Sequence, residues 1–442
     1  MAESKLNQAW NTLYDKYDIG RHIERDGIYE ITANEIKTVY EPRLVTKFDH
    51  ENQLPKIFRE NHLSILPNTR GSYLIAPFLT HHSFEEESSD LVTLSWNKNL
   101  ESIDIHDICS ETCAINVAEI GGILTHFLQE EPLYATVAGR MKSGVFDFSI
   151  DLMNGSARTI QVQNSQIEID AGYETPKSLV LIEAKNFLYD DFLVRQLYYP
   201  FRTWSSRVHK PVRTIFFMYT NGTYHLYEYA FENPHSYSSI RLLRQTNYTL
   251  DDTNLYFKDL QQVFQQTRVQ PEPDGIPFPQ ADSIERIINL LEVLDEAPLS
   301  SLDISERYVF KTRQGDYYAN AGRYLGLFDS VIETRRRLFQ PSAEGEKALR
   351  MSYKQRQLFL ASLIFRHLPF HKTFAYMLER AKDQQGPRVP SRDEIVSIMK
   401  TCHLENIGSG GDPMYNRRAA SVRHWFRWLL HLCKDLPADS DA

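Results

Sequence analysis

Residues 166–186, with the sequence QIEIDAGYETPKSLVLIEAKN, constrain the fold more than any other part of the chain. Polar and apolar side chains alternate up to Asp170, which predicts a strand because successive side chains of a strand point to opposite faces. The next segment, residues 179–185, is apolar at its start and ends with Glu183 and Lys185 on one face. We therefore predict two neighbouring strands whose charged ends lie where a core meets a cleft.

The composition is that of a globular protein without a membrane segment. The chain has 442 residues, of which 42% are hydrophobic, and this is enough for two or three domains with sizeable cores. No apolar run approaches the roughly 18 residues that span a bilayer, and the first residues, MAESKLNQAW, lack a signal-peptide apolar region. We expect a cytoplasmic protein with no membrane partner. The cysteines form no paired CxxC zinc pattern, so we expect structural thiols at Cys109, Cys113, Cys402 and Cys433.

The net charge of −9 is distributed unevenly. Residues 1–282 carry 25 basic and 38 acidic side chains, whereas residues 307–427 carry 22 basic and 11 acidic side chains. An acidic protein can still bind DNA if its positive charge is gathered where the phosphates lie, because association follows the local field. A solvated helical surface would give the same count, so charge alone leaves both interpretations open.

Residues 1–84 are predicted to form a winged-helix-like, DNA-binding domain. Residues 32–49 predict one helix, which Thr32 and Glu35 would begin as a capping box, and residues 52–78 predict a helix followed by a hairpin around residues 67–71. A small helical cap with an incidental hairpin is the alternative. The side chains that would contact phosphates are Lys47, Arg59 and Arg70.

Residues 85–266 contain the predicted strands and form the expected catalytic domain. The segment YDDFLVRQLYYPFRTW predicts a helix that Asp190 or Asp191 would cap. Asn221 and Gly222 then separate two aromatic and β-branched runs, which is a strong hairpin signal. The order strand, strand, helix, strand, strand predicts an α/β fold with a mixed sheet and a helix packed over it.

The remainder of the chain is predicted to be a linker, a helical domain and a short tail. Residues 267–282 are too rich in proline for a helix or a central strand. Residues 283–436 are mostly helical, with a second winged-helix-like pattern in residues 317–349, and we expect them to bind DNA. Residues 437–442 are expected to be a disordered tail.

Two groups of arginines in the basic half are candidates for DNA contact. Arg335, Arg336 and Arg337 precede the predicted wing, and a contiguous run suits the DNA backbone better than bases. Arg417, Arg418 and Arg423 lie in the first turns of a predicted helix and could contact phosphates or guanine edges. The alternative for this second group is a helix-packing module with a basic outer face.

The charged ends of the two predicted strands suit metal-dependent phosphate chemistry. Carboxylates that converge from neighbouring strands suit Mg²⁺, which takes one or two protein carboxylates and keeps several waters. Lys185, on the same face as Glu183, would orient or deprotonate the attacking water and offset charge on the phosphate. The alternative is an ordinary Glu–Lys pair on an exposed edge strand.

The two predicted strands and the helix after them also resemble the motif of a known protein superfamily. The sequence EID, followed after a turn by IEAKN and then by a helix holding Arg195 and Gln196, resembles the PD-(D/E)XK nuclease superfamily. The surrounding text, from GRMKSGVFDFSID to RQGDYYANAGRYLGL, is similar to a group of type II restriction endonucleases and covers most of the chain. Ile169 stands where the family has a proline before its first acid.

The resemblance implies a role for each matching position. Asp170 and Glu183 would be the metal-binding acids, Lys185 the motif lysine, and Gln196 a glutamine near the metal water. Glu168 is the main rival of Asp170, because it lies one strand period earlier on the same face, and Glu174 and Asp147 are further rivals.

The implied activity is Mg²⁺-dependent, site-specific cleavage of double-stranded DNA that leaves 5′-phosphate and 3′-hydroxyl ends. A homodimer is expected, because two strands are most simply cut by two active sites, and a cognate DNA methyltransferase is the implied functional partner. The chain has no GxxxxGKS/T segment, so we expect no nucleoside triphosphate partner. A repair or structure-specific nuclease without sequence specificity and a non-catalytic winged-helix DNA-binding protein remain as alternatives.

Overall fold

The chain forms two compact units in a computed structural model. Unit 1 contains residues 1–92, 109–219 and 223–248, and unit 2 contains residues 93–108, 220–222 and 249–442. The structure describes residues 5–85, 91–96, 100–105, 108, 110–250, 255–308, 312–333, 336–381, 386–407 and 411–436. The predictions for Cys109, Arg335 and the tail at 437–442 lie outside the described residues.

The N-terminal part of unit 1 combines short helices with a small antiparallel sheet of order β1-β3-β2. Its elements are α1 (Lys5–Lys16), α2 (Ile19–Asp26), β1 (Tyr29–Thr32), α3 (Ala33–Lys37), α4 (Lys56–Glu60), β2 (Ser64–Pro67) and β3 (Ser72–Ala76). Thr32 and Glu35 form the predicted capping box, in which Thr32 Oγ1 accepts from the Glu35 N–H at 3.2 Å. The helix is shorter than predicted and ends at Lys37, before the separate 3₁₀ turn that begins at Pro42. The predicted hairpin is confirmed as β2 and β3.

The rest of unit 1 is built on a seven-stranded mixed sheet of order β5-β14-β13-β12-β10-β9-β6. Its first elements are β4 (His81–Ser83), β5 (Leu91–Thr93), α5 (Glu111–Ile120), α6 (Ile123–Leu128), β6 (Tyr134–Lys142), β7 (Val145–Asp151), β8 (Ala157–Gln163), β9 (Gln166–Glu174) and β10 (Leu179–Lys185). The later elements are β11 (Asp191–Leu193), α7 (Arg195–Ser205), β12 (Val212–Thr220), β13 (Thr223–Phe231) and β14 (Ile240–Thr249). The predicted mixed α/β class is confirmed.

The two strands predicted first, β9 and β10, lie beside each other, and only β6 separates β9 from the edge of this sheet. Strand β10 pairs with β9 in antiparallel and with β12 in parallel orientation. In β9 buried Ile167 and Ile169 alternate with exposed Gln166 and Glu168, as the period of two requires. All of β10 before Lys185 is buried, which explains why its sequence is nearly continuously apolar.

The turn between β12 and β13 confirms the Asn-Gly prediction. Asn221 and Gly222 have φ angles of 52° and 69°, which is the left-handed pair that a tight two-residue hairpin requires. The predicted cap of α7 was wrong. The helix begins at Arg195, its N-cap residue is Val194, and Asp191 lies in β11 instead, where its carboxylate takes other hydrogen bonds.

Unit 2 is mostly helical, with a small antiparallel sheet of order β15-β17-β16. Its elements are α8 (Phe257–Gln266), α9 (Ile284–Glu296), β15 (Leu299–Ser300), α10 (Ser301–Arg307), α11 (Thr312–Tyr324), β16 (Phe328–Glu333), β17 (Arg336–Pro341), α12 (Ala343–Leu349), α13 (Tyr353–Phe365), α14 (Leu368–Ala381), α15 (Arg392–Lys400) and α16 (Asp412–His431). Its core includes Phe370 stacked on Trp425, with ring centroids 5.1 Å apart. None of the described helices combines the length and the apolar character that crossing a membrane would need.

The proline-rich segment 267–282 is irregular, as its composition predicts. Within unit 2 it packs against α16, since Phe278 is buried and the Trp425 Nε1–H donates to the Ala281 carbonyl at 3.0 Å.

Candidate active site

The charged ends of β9 and β10 meet in unit 1 and form a hydrogen-bonded cluster. Asp170 Oδ2 accepts a hydrogen bond from the Ala184 N–H at 2.8 Å, which ties the first predicted acid to the strand of the second. Glu183 Oε1 accepts from Lys185 Nζ at 2.5 Å and from Gln196 Nε2 at 2.6 Å. The structure therefore brings Asp170, Glu183, Lys185 and Gln196 together, although Gln196 comes from α7.

Burial and neighbouring charge set the protonation of this cluster. Glu183 is only 9% exposed, and burial raises its pKa to about 7, with Asp170 adding to the rise and Lys185 opposing it. Burial alone would lower the pKa of Lys185, but the carboxylates of Glu183 and Asp49 raise it above its ordinary value. Lys185 is therefore a stable cation at neutral pH, suited to donating hydrogen bonds and supplying positive charge.

Two acids that the sequence interpretation missed lie in the same electrostatic environment. Glu111 is in the first turn of α5, a helix that packs on β9 and β10. Burial raises the pKa of Glu111, and Asp170 and Asp49 raise it further, whereas Lys185 lowers it. Asp49 comes from the segment before α4 and also acts on Glu183 and Lys185.

A contact between distant parts of the chain holds Asp49 in place. His50 is 3% exposed, and its Nδ1–H donates to the backbone oxygen of Asp191 at 2.8 Å and to Oδ1 of the same residue at 2.9 Å. The Glu51 N–H donates to Asp191 Oδ2 at 2.9 Å, and the ring of Tyr189 stacks on His50 with centroids 3.9 Å apart. Burial would raise the pKa of Asp191, but these hydrogen bonds lower it below its usual range. We call His50, Glu51 and Asp191 the histidine clamp.

The acidic residues of this cluster are of the type that binds a hard divalent cation. Asp49, Glu111, Asp170 and Glu183 supply more negative charge than Lys185 and the nearby Lys47 offset. In the described part of the chain, two acceptors of the site, Asp49 Oδ1 and Gln196 Oε1, are buried without a hydrogen-bond partner. Among the described residues, no group of three or more His, Cys, Asp or Glu side chains is arranged so that it could hold a metal ion. Mg²⁺ fits such a site, because it binds through one or two carboxylates and retains waters.

The rival acids have other partners. Glu168 is paired with Arg140 Nε at 3.1 Å, and its side chain is 48% exposed. Glu174 is paired with Lys210 Nζ at 2.6 Å, and Asp147 is exposed on β7. Geometry therefore favours Asp170 over Glu168, because only Asp170 bonds to the strand that holds Glu183.

Three family models match consecutive parts of the chain, and each is described as a domain of unknown function. DUF6996 matches residues 7–75, DUF6997 matches residues 76–249 and DUF7226 matches residues 286–434. No curated protein and no solved structure matches the chain. The candidate site thus combines Asp49 of the first matched segment with residues of the second.

The residues predicted to bind DNA lie in several places. Lys47 is 61% exposed and lies 3.7 Å from Asp49 of the candidate site, measured from Nζ to Oδ2. The exposed members of the set are Arg59, Arg70, Arg336, Arg337 and Arg417. Arg423 is half-buried. Arg418 is only 7% exposed and lies on the buried side of α16.

A local signal existed for Glu111 but not for Asp49. Ser110 caps α5 by accepting from the Cys113 N–H, and an acid in the first turn after a serine cap is a recognisable helix start. Asp49 is held at the site by the histidine clamp, and no sequence motif near Asp49 predicts that contact.

Proposed function

We propose that this chain is a Mg²⁺-dependent type II restriction endonuclease that cuts double-stranded DNA at specific sites by phosphodiester hydrolysis. The observation that carries the proposal is the buried Glu183 carboxylate, which Lys185 and Gln196 both contact while Asp170 bonds to the adjacent residue. An ordinary surface Glu–Lys pair would be solvated and would not combine a second acid with a buried position.

The topology around the site supports a PD-(D/E)XK-like core. Antiparallel β9 and β10 are followed by α7 and then by β12, which lies parallel to β10. The acids and the lysine lie on the two antiparallel strands, and the glutamine lies on the helix, in the order that the sequence resemblance implies. The motif in the sequence and the arrangement of strands and helix in the fold therefore support the same type of core.

The order of elements in unit 2 supports a winged helix. Helix α9 is followed by the short strand β15, by helices α10 and α11, and by the hairpin of β16 and β17. In a winged helix of this order α11 would enter a DNA groove and the hairpin would form the wing. The exposed Arg336 and Arg337 lie at the tip side of that hairpin, where a wing would meet the backbone. The N-terminal helices and hairpin support a second, smaller domain of the same kind.

Each residue of the site has a defined task in the proposed hydrolysis. Asp170 and Glu183 would hold Mg²⁺, which when bound supplies positive charge against the charge that develops on the phosphate. Lys185, held as a cation by its carboxylate neighbours, orients the attacking water and donates to a phosphate oxygen. Gln196 fixes the Glu183 carboxylate through its amide N–H. The products would carry 5′-phosphate and 3′-hydroxyl ends.

The proposed partners follow from the reaction. Double-stranded DNA would be held by the basic half of the chain, where residues 307–427 have 22 basic and 11 acidic side chains. A homodimer would place one active site on each strand, and a cognate methyltransferase would protect the host's own sites.

The test is incubation of purified protein with unmethylated plasmid and phage DNA, with Mg²⁺ or with EDTA, followed by sequencing of the fragment ends. We expect discrete Mg²⁺-dependent fragments that disappear in Asp170→Asn and in Lys185→Met. Glu168→Gln is the matched control and should cut normally, because Glu168 is engaged by Arg140.

Each other outcome points to a different activity. Cleavage without discrete ends would indicate a nuclease that ignores sequence. If the wild-type protein bound DNA but did not cleave it, the chain would be a non-catalytic DNA-binding protein and not a nuclease. Loss of cleavage in Glu168→Gln but not in Asp170→Asn would exchange the roles of these two acids.

A further inference from the structure

A second histidine, His81, contacts the backbone beside Asp49. His81 is in β4, and its Nε2 lies 3.1 Å from the Phe48 carbonyl oxygen. Because a carbonyl oxygen can only accept, Nε2 carries the hydrogen and donates it. On the other side of Asp49, the Glu51 N–H donates to Asp191 at 2.9 Å, as part of the histidine clamp. The backbone is therefore held both before and after Asp49.

The two anchors belong to one small sheet. Strand β4 pairs with β11 in antiparallel orientation, and His81 lies opposite Leu193. Asp191 is in the second of these strands, so each strand supplies one anchor. The ladder fixes the separation of the two strands, and with it the separation of the two points at which the segment of Asp49 is attached.

The His81 ring is itself held in one orientation. Its Nδ1 lies 3.0 Å from Thr80 Oγ1, and Thr80 is only 2% exposed. Burial lowers the pKa of His81, although the hydrogen bond to Phe48 opposes that change. In a neutral ring one nitrogen carries the hydrogen and the other accepts, so a hydroxyl beside Nδ1 is compatible with the hydrogen on Nε2. These contacts therefore agree with a ring that donates to Phe48.

The residue before β4 also holds the start of α7. The Thr80 carbonyl accepts from the Val194 N–H at 3.0 Å, and Val194 is the N-cap residue of α7. Two residues later, Gln196 donates to Glu183 at 2.6 Å. Two adjacent residues of the chain thus connect the backbone beside Asp49 with the helix that contacts Glu183, and every step of that connection is a hydrogen bond.

We propose that His81 is a positioning residue of the candidate active site, and that it acts by holding Asp49 where a bound Mg²⁺ would be attracted. The inference rests on the proposed function, because it takes Mg²⁺ as the cation. Asp49 Oδ1 is buried and has no hydrogen-bond partner among the residues that the structure describes. Its direction is therefore set by the backbone on both sides, which His81 and the histidine clamp hold.

The experiment compares wild type with His81→Leu, Asp49→Asn and the double variant that carries both changes. The rate of DNA cleavage and the melting temperature of the protein without DNA are each recorded against Mg²⁺ concentration. We expect His81→Leu to raise the half-maximal Mg²⁺ concentration roughly fivefold in both titrations, as for the loss of one nearby charge. The cleavage rate at saturating Mg²⁺ should equal that of wild type, because Asp170, Glu183 and Lys185 are unchanged.

Two further variants separate positioning from folding. In His81→Gln the side-chain amide N–H can still donate to the Phe48 carbonyl, so both titrations should return to those of wild type. His225→Leu is the matched control, because it removes another hydrogen-bonded histidine of unit 1 whose pKa is lowered by burial. It should lower the melting temperature without changing the half-maximal Mg²⁺ concentration. The double variant should match Asp49→Asn alone, because residues that act through one another are not additive.

Several outcomes would overturn the proposal. Additive effects of His81→Leu and Asp49→Asn would show that His81 acts by another route, and failure of His81→Gln to restore the titrations would exclude the bond to Phe48 as the cause. An unchanged half-maximal Mg²⁺ concentration in His81→Leu would leave His81 a structural residue.

Failure of the nuclease proposal would be seen separately. If Mg²⁺ raised the melting temperature of wild type but no DNA were cut, the nuclease would be rejected, and the melting titrations would still decide the role of His81. If Mg²⁺ changed neither quantity in wild type, no cation would be bound near Asp49, and the positioning role would be rejected as well.

Discussion

At the scale of single residues, the candidate active site is defined by crowding of like charge. The carboxylates of Asp49, Glu111 and Asp170 all act on a small region that also holds the buried Glu183. Lys185 is held as a cation by these groups. Under the proposed function, each of these acids would add to the attraction for a bound cation.

Asp49→Asn should weaken binding of Mg²⁺ without removing the principal ligands. Loss of one nearby negative charge is expected to cost about 1 kcal/mol, or roughly fivefold in the half-maximal Mg²⁺ concentration. A Mg²⁺ titration of the cleavage rate, and of the melting temperature, checks this. Glu41→Gln, an exposed acid of the same N-terminal segment, should leave both curves unchanged. An unchanged titration in Asp49→Asn would remove Asp49 from the site.

The site residues that could be predicted from the sequence are those whose position follows from the alternation of side chains along a strand. Asp170, Glu183 and Lys185 follow from the period of two in adjacent strands, because that period fixes their faces. Asp49 could not be found in this way, since the histidine clamp joins residues 141 positions apart. For Arg418 the sequence left DNA contact and helix packing as alternatives, because a helical stripe shows which residues share a face but not what covers that face.

At the scale of elements, the strands and the tight turn were predictable, whereas the start of α7 was not. Asn221 and Gly222 allow a left-handed pair, so the hairpin is encoded by two residues. Asp191 has the chemistry of a helix cap but is taken up by β11, which pairs with the distant β4. A local capping preference of about 1 kcal/mol is readily overridden by tertiary contacts of this kind.

The pairing of β13 with β14 should make the sheet sensitive to acid through His225. Its ring Nδ1 lies 2.8 Å from Asn247 Oδ1, and burial lowers the pKa of His225 to about 4 despite this hydrogen bond. The folded sheet thus favours the neutral ring, and its contribution to stability is present above the unfolded pKa of about 6.5 and is lost as pH falls through 4. Because the side chain keeps some solvent contact, we expect a loss of about 1 kcal/mol between pH 7 and pH 5.

Urea unfolding of wild type and His225→Gln at these two pH values measures that contribution. The glutamine variant should lose less stability than wild type on acidification, and His209→Gln, at an exposed position, should behave as wild type does. Equal losses in wild type and His225→Gln would show that this histidine does not titrate with unfolding.

At the scale of the whole molecule, charge is separated along the chain. Residues 1–282 have 25 basic and 38 acidic side chains, whereas residues 307–427, with 22 basic and 11 acidic side chains, would attract the DNA of the proposed function. Within unit 2, Arg323 illustrates the gathered positive charge, since burial lowers its pKa and Arg337 lowers it further. DNA affinity is therefore expected to depend on the helices and hairpin of unit 2.

Replacing both exposed arginines of β17, in Arg336→Ala with Arg337→Ala, should weaken duplex binding equally for all sequences. The logarithmic salt slope should fall by about two if each arginine neutralises one phosphate. Fluorescence anisotropy with a short labelled duplex, recorded in EDTA at several salt concentrations, gives the slope. Arg21→Ala is the control, because Arg21 is exposed in the acidic half and paired with Asp18. A slope equal to that of wild type would exclude the hairpin from the DNA interface.

The histidine clamp also determines when the candidate site can form during synthesis of the chain. On the ribosome the segment with Asp49 emerges first, and its anchor at Asp191 is made 141 residues later. Glu183, Lys185 and Asp191 are translated almost together, so the sheet and the clamp become possible within the same short interval. A nascent chain therefore carries no assembled cluster of acids until the middle of the protein has been synthesised.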